Sequence, residues 1–460
     1  METANISSRH VPLDNRIIIS VSVVIMTKSE FVHIVETFIP NKILQIYRNR
    51  KPALRWMRRQ AVYEKEIRRI RSHGAPIKVL FIAKFINEWK FDSVYKLMAQ
   101  DPLFEPMILV CPMVRYTVFT PEQAEVAFHH TYDTFVQRGY NVMKACEKMT
   151  DEGIEVDEIA PDIVFFSSLW TQFLHEKYSH TYLEKYLKCY VDYGFCSIAN
   201  EWGYSSPFHR LMWRYYAECE DIKQLALAAQ PWEMRNTVVT GYPPIDEYIS
   251  AKEDNSFWRN PDKKFKRIIW APHHTITGHQ QLLHFSTFIE NAETMLKIAE
   301  KYKDSVQFAF KPHPILLHNL YGHPQWGKAK ADEYYKRWAT GENTSLVNDT
   351  YIDLFKSSDA MIHDCGSFIV EYLYTKNPVM YLGNTREEQS NIVGKKAYAC
   401  HYHGMDRNDI EHFIEEVVLI GNDEMSAKRE QFYNEVLLPP HGCTAAENIV
   451  NDIKQALKIK

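Results

Sequence analysis

The chain has 460 residues, too many for one core of ordinary size, so two domains are expected. Apolar residues at 45%, charged at 24% and aromatic at 13% exclude a disordered or fibrous protein, and a net charge of -4 excludes a surface given over to nucleic acid. Eight cysteines without a Cys-x-x-Cys pair or a tight His/Cys cluster suggest neither a zinc site nor a disulfide framework, and fit a reducing cytosol.

In chain order, the first apolar run is IIISVSVVIM, residues 17–26. It is about half the roughly 20 residues a spanning helix needs, and no small-residue cleavage site follows it. Met26 is an alternative first residue. Between Lys42 and Arg71 stand eleven Lys/Arg against two Glu, interleaved with Ile46, Leu54, Trp56, Met57, Val62 and Ile67. Two readings fit: an amphipathic helix that lays residues 42–72 on an anionic membrane surface, or a basic solvated helix packed on the first domain. Residues 1–75 are therefore read as a basic, partly amphipathic N-terminal arm.

From Ile77 the pattern alternates. IKVLFIA predicts a strand, FDSVYKLMAQ a helix and PMILVCP a second strand, followed by the short β-rich runs DIVFFSS (162–168) and KCYVDYGF (188–195). A second series opens with TVVTGYPPIDEYI (237–249), whose Gly-Tyr-Pro-Pro suits an interdomain connection. It continues through KRIIWAPHH (266–274), VQFAFKPHP (306–314), DAMIHDCG (359–366) and NPVMYLG (377–383), with a helix predicted over 285–302. Strands alternating with helices predict an α/β protein of two doubly wound, Rossmann-type domains, 76–235 and 236–460, facing a central cleft. Ligands of such sheets sit at the carboxyl ends of the strands.

Several strands of the second series end in polar chemistry. His273 and His274 follow IIWAP, Lys311 and His313 flank Pro312, and Asp364, Gly366 and Ser367 precede a helix. Strand ends of a parallel sheet converge on one rim, so these residues are expected to meet. Their types suit a phosphate or diphosphate: Lys311 brings a point charge, His313 a donor, and the Gly366-Ser367 turn backbone N–H groups at a helix start. Glu371, one helical turn beyond Ser367, could accept from ribose hydroxyls. Each residue also has a plain structural alternative: Asp364 or Ser367 as a helix cap, His363 as a satisfied rim histidine, Glu371 as a first-turn acid. Thr444 and Glu447 have capping-box spacing and are read as structural. His401-Tyr402-His403-Gly404 and the pair His129-His130 lack partners at ligand spacing, so no metal is expected. No nucleoside-triphosphate loop, dinucleotide fingerprint or nucleophile elbow is present.

The motif order over roughly residues 77–455 resembles the CDP-glycerol glycerophosphotransferase family, the teichoic-acid-type polymerases and primases of GT-B fold. In SSDAMIHDCGSFIVEYLYTKNPVMYL, Asp364, Ser367, Glu371, Lys376 and Pro378 keep the family pattern, with Cys365 and Gly366 at the aromatic and first-serine positions. KPHP resembles the family's Arg-x-His-Pro, with Lys311 for Arg and His313 kept. The resemblance implies transfer of a polyol phosphate from a CDP donor to a hydroxyl of a glycan or lipid-linked polymer, with release of CMP and no metal or other cofactor. It places Lys311, His313, Asp364, Gly366, Ser367 and Glu371 at the donor and the protein at the cytoplasmic membrane face. One departure concerns the base: where the family carries His-Gly after a first-domain strand, this chain has Asp192, Tyr193 and Gly194. A tyrosine of ordinary pKa near 10 is a poor base, so Asp192, His273 or His274 is the expected replacement. Alternatives are a glycosyltransferase using a nucleotide sugar, on the same diphosphate grip, and a non-catalytic nucleotide-binding scaffold.

Overall fold

The computed structural model describes residues 41–74, 76–115, 120–149, 151–249, 254–260, 264–276, 286–348, 351–383 and 389–459; the run 17–26 lies outside them. The chain divides into two units, Met1–Leu54 and Arg55–Lys460. The described part of the first unit is the opening of a helix, Asn41–His73, with Pro52 inside it.

In the second unit thirteen strands are described: β1 (Ile77–Ala83), β2 (Phe104–Val110), β3 (Val142–Lys144), β4 (Ile163–Phe166), β5 (Leu187–Val191), β6 (Arg214–Ala217), β7 (Thr237–Val239), β8 (Lys266–Ala271), β9 (Val306–Phe310), β10 (Thr344–Leu346), β11 (Ala360–His363), β12 (Val379–Leu382) and β13 (Tyr402–Gly404). They form two sheets, ordered β3-β2-β1-β4-β5-β6-β7 and β10-β9-β8-β11-β12-β13. Every pairing is parallel. The central strands β4, β5, β9 and β11 are buried along their whole length, as sheets covered by helices on both faces require. This is the expected α/β architecture of two doubly wound sheets.

Thr237–Val239, expected to open the second series, instead closes the first sheet, with Tyr216 opposite Val238. The passage to the second sheet comes after it. Gly241 takes the left-handed φ of +87°, which favours glycine, and Pro243-Pro244 have no N–H to carry a ladder further.

One face of the second sheet shares an apolar core with the first sheet through Ile269, Ala309 and Met361. Its other face has a separate core around Trp270, with Phe310 stacked at 5.0 Å and Phe288 at 5.7 Å. The helix Ala445–Leu457, opened by the expected Thr444/Glu447 capping box, returns to the first sheet. There Asp452 pairs with Arg214 at 2.7 Å, and Asn448 donates to the Thr240 carbonyl.

From Arg55 the long N-terminal helix lies on the first sheet's side of the unit. Tyr63 and Ile70 are buried, Arg55 and Arg59 reach Glu233 at 2.8 and 3.0 Å, and Arg69 and His73 reach Asp162 at 2.9 and 3.0 Å. Its residues 55–73 thus have the packed arrangement, while Met57, Arg58, Val62, Lys65 and Arg68 stay exposed. Among the described residues no helix is long and apolar enough to cross a membrane.

Candidate active site

The register of the second sheet decides what meets at its rim. Trp270 pairs with Phe310 and Ala271 with His363, so the chains leaving β8, β9 and β11 emerge side by side. His273, His274 and His313 are brought together: the His274 ring lies 4.2 Å from His313 and 4.3 Å from His273, centroid to centroid. Lys311 joins them from β9, buried, with its Nζ donating to the Asn348 carbonyl at 2.8 Å.

Asp364 is buried and has both oxygens committed within the protein. One accepts from the His273 backbone N–H, the other from the Thr287 backbone and hydroxyl. Its carboxylate fastens the His273 loop to the helix Phe288–Lys301 rather than capping the helix after it. Cys365 donates its S–H to the Ala271 carbonyl, and His363 is wholly buried, its Nδ1 accepting from the Cys365 N–H and its ring against Tyr381 and His401. Both serve packing beneath the rim.

Ligand atoms of the three clustered histidines lie within 4.8 Å of one another, close enough to consider a metal. The hydrogen bonds argue for another use. His313 Nδ1 accepts from the Ile315 backbone N–H, and the Asn319 amide donates to the His274 carbonyl at 2.9 Å. A ring that accepts on Nδ1 carries its hydrogen on Nε2, where it can donate to an anion but offers no lone pair to a cation. Burial, with the neighbouring His274 and Lys311, pushes the His313 pKa down to about 3, so the ring donates as a neutral group.

Gly366 and Ser367 lead into the single turn Phe368–Glu371, which continues as the 3₁₀ turn Tyr372–Thr375. Ser367 makes no side-chain cap bond, and a Cβ built on Gly194 would lie 3.7 Å from the Ser367 Cβ. Ser197 donates to the Gly366 carbonyl at 3.3 Å. The loop leaving β5 is therefore in contact with the turn leaving β11, and the two rims meet here. Glu371 is buried at that junction. It accepts from the Phe195 N–H and the Tyr351 hydroxyl and faces Lys90, whose Nζ donates to Tyr351 at 3.0 Å. Burial raises the Glu371 pKa, with Lys90 opposing, and lowers that of Lys90, with Glu371 opposing.

At the first rim Asp192, the expected base there, and its neighbour Tyr193 separate. Asp192 turns into the sheet, accepting from Tyr215 Oη at 2.6 Å, with His209 Nε2 at 3.8 Å from its other oxygen. Tyr193 stays at the surface of the cleft, half-buried, accepting from Trp170 Nε1 at 3.3 Å; burial raises its phenol above the ordinary value. Around it lie groups that the motif reading did not single out. Lys84 leaves β1 and pairs with Glu88 at 3.0 Å, and its Nζ is 3.3 Å from the hydroxyl of Ser168, which leaves β4. Glu218 leaves β6, accepts from the Cys196 N–H, and is raised well above a normal carboxyl by burial and by Asp192. The strand-end argument applied to the second series finds Lys84, Glu88, Ser168 and Glu218 when applied equally to KFINEWK, FFSS and YYAE in the first.

Two facing parallel sheets, with polar strand ends meeting across a cleft and a terminal helix returned to the first sheet, make this a GT-B protein. The chain is similar in fold to the Wall Teichoic Acid Polymerase TagF (13% identity, TM-score 0.50, covering 90% of this chain and 98% of that one). It is equally similar to S. aureus MnaA in its co-structure with UDP (15%, 0.50, 84% and 98%) and to the UDP-GlcNAc 2-epimerase of Methanocaldococcus jannaschii (13%, 0.50, 82% and 99%). No curated protein matches the chain by sequence. Residues 211–397 match the sequence model of the CDP-Glycerol:Poly(glycerophosphate) glycerophosphotransferase family. That segment contains the whole second-rim cluster, and over it the family resemblance seen in the motifs is borne out.

Proposed function

We propose that the protein transfers a polyol phosphate, glycerol phosphate or a close relative, from a CDP-activated donor to a hydroxyl of a cell-surface glycan or polymer, releasing CMP. The observation that carries this reading is the second-rim cluster of His274, His313 and the Gly366-Ser367 turn, which lies inside the segment matching a transferase family. In this reading the half built on the second sheet holds the donor and the half built on the first sheet, β7 included, the acceptor. The acceptor oxygen attacks the polyol-bearing phosphorus, and the phosphorus–oxygen bond to CMP breaks with its electron pair leaving on CMP. The neutral Nε2–H of His313 and the backbone N–H groups of the Gly366-Ser367 turn, turned to the diphosphate, stabilise that leaving charge without needing to shed a hydration shell first.

The test is a donor panel: CDP-glycerol, CDP-ribitol, and UDP-, GDP- and CMP-sugars, each scored for thermal stabilisation and for slow release of nucleotide. A CDP-polyol is expected to stabilise the protein and to yield CMP. Stabilisation by UDP- or GDP-sugars instead would transfer the protein to the glycosyltransferases. Binding without turnover, for any donor together with a lipid-linked acceptor, would leave only a scaffold.

A further inference from the structure

As a phosphoryl group passes from donor to acceptor, negative charge spreads over its non-bridging oxygens, and a fixed neutral donor on the acceptor half can hold that charge. Tyr193 has the position for this. It follows β5 one residue after Asp192, and neighbours at a strand end alternate in direction. With Asp192 turned into the sheet toward Tyr215, Tyr193 takes the opposite side and stands half-buried at the cleft. The next residue, Gly194, has its Cβ position 3.7 Å from the Ser367 Cβ, and Ser197 donates to the Gly366 carbonyl at 3.3 Å. The tyrosine is thus carried beside the turn that holds the diphosphate in the reading above.

One hydrogen bond fixes which way its hydroxyl works. An indole N–H can only donate, so in the 3.3 Å contact with Trp170 Nε1 the phenol oxygen accepts and its own hydrogen points elsewhere. Among the described residues none accepts that hydrogen. Burial raises the phenol pKa, with Trp170 opposing and Glu88 and Asp192 adding to the rise, so the hydrogen stays on the oxygen at neutral pH. We infer that Tyr193 is a catalytic hydrogen-bond donor, its O–H given to a non-bridging oxygen of the phosphoryl group in transfer, with Trp170 the positioning residue that orients it. The bond received from Trp170 polarises the O–H and strengthens the one it gives. In the step, the acceptor oxygen forms its bond to phosphorus, and the bond to CMP breaks with its electron pair leaving on CMP. The acceptor's proton passes to water in the cleft, and Tyr193 keeps its own throughout.

This inference rests on the phosphotransferase reading, and the experiment separates the two. Wild-type protein is assayed for CMP release from CDP-glycerol with an acceptor; no release at all would remove that reading, and this inference with it. Given turnover, Y193F should lower kcat by roughly 100-fold, the usual worth of one such donor. Its donor KM and its thermal stabilisation by CMP should stay as in the wild type. W170F should slow the reaction less, and the double variant should be no slower than Y193F alone, because Trp170 acts only through the phenol. A ring-fluorinated tyrosine at position 193, whose phenol ionises nearer neutrality, tells donor from base. A phenolate has no hydrogen to give, so kcat should fall as pH rises through that ionisation. The titratable groups facing the phenol are Glu88, Asp192 and Cys196. Near-normal kcat in Y193F, a loss from W170F that adds in full to that of Y193F, or a fluorinated protein whose rate climbs with pH would overturn the assignment.

Discussion

At the scale of single residues, one hydrogen bond decides what His313 can do. The Ile315 N–H donating to its Nδ1 at 3.2 Å makes the ring a one-way donor through Nε2. His313→Asn tests this cleanly, since the asparagine oxygen can take over the Ile315 bond while nothing replaces Nε2–H. We expect donor affinity by calorimetry to fall roughly 10- to 100-fold, the worth of about 1.5–3 kcal/mol for a hydrogen bond to a charged group. The melting temperature should change little; a variant that unfolds would make His313 a packing residue. In the sequence, residue types were legible but tautomers and directions were not. His363, Asp364 and Cys365 sit beside site residues in MIHDCGSF, yet the structure commits all three to neighbouring protein groups. A strand end alternates outward and inward positions, and only the pairing partner shows which side is which.

Among the elements, the long buried strands announce themselves because β-branched and aromatic runs have no other use; IKVLFIA is a strand at the bounds expected. The three-residue strands Val142–Lys144, Thr344–Leu346 and Tyr402–Gly404 are too short to carry a periodicity, and they lie at or near sheet edges where half-burial blurs it further. The basic helix shows the opposite problem, a strong signal with two meanings. Its residues 55–73 pack through Tyr63 and Ile70, but an exposed stripe of Met57, Arg58, Val62, Lys65 and Arg68 remains. We propose that this stripe holds the protein to the anionic, cytoplasmic face of a membrane. Sedimentation with anionic liposomes should be lost in an R58E/K65E/R68E variant, at about 1 kcal/mol per cation removed from the surface, and should be absent with neutral lipid. Sedimentation that survives the three reversals would retire the idea.

For the whole molecule, the two sheets depend on each other through buried charge. Lys90 comes from the first half and Glu371 from the second, and each is desolvated beside the other and Tyr351. Taking away one partner strands the other, so Lys90→Met should cost about 3 kcal/mol in urea unfolding, and adding Glu371→Gln should recover most of it. A double variant no better than the single would show that the two do not communicate. The doubly wound plan could be read from strand alternation, whereas Lys90 and Glu371 stand 281 positions apart and belong to no common motif. A last consequence concerns the order of synthesis. Arg214 and Asp452, which join the first sheet to the helix Ala445–Leu457, are 238 positions apart. On the ribosome the first sheet therefore emerges without its cover and waits for nearly half the chain to be translated. A premature stop after Gly404 would spare every residue of the site and still leave the earliest-made domain with an open apolar flank, a ready client for chaperones and proteases.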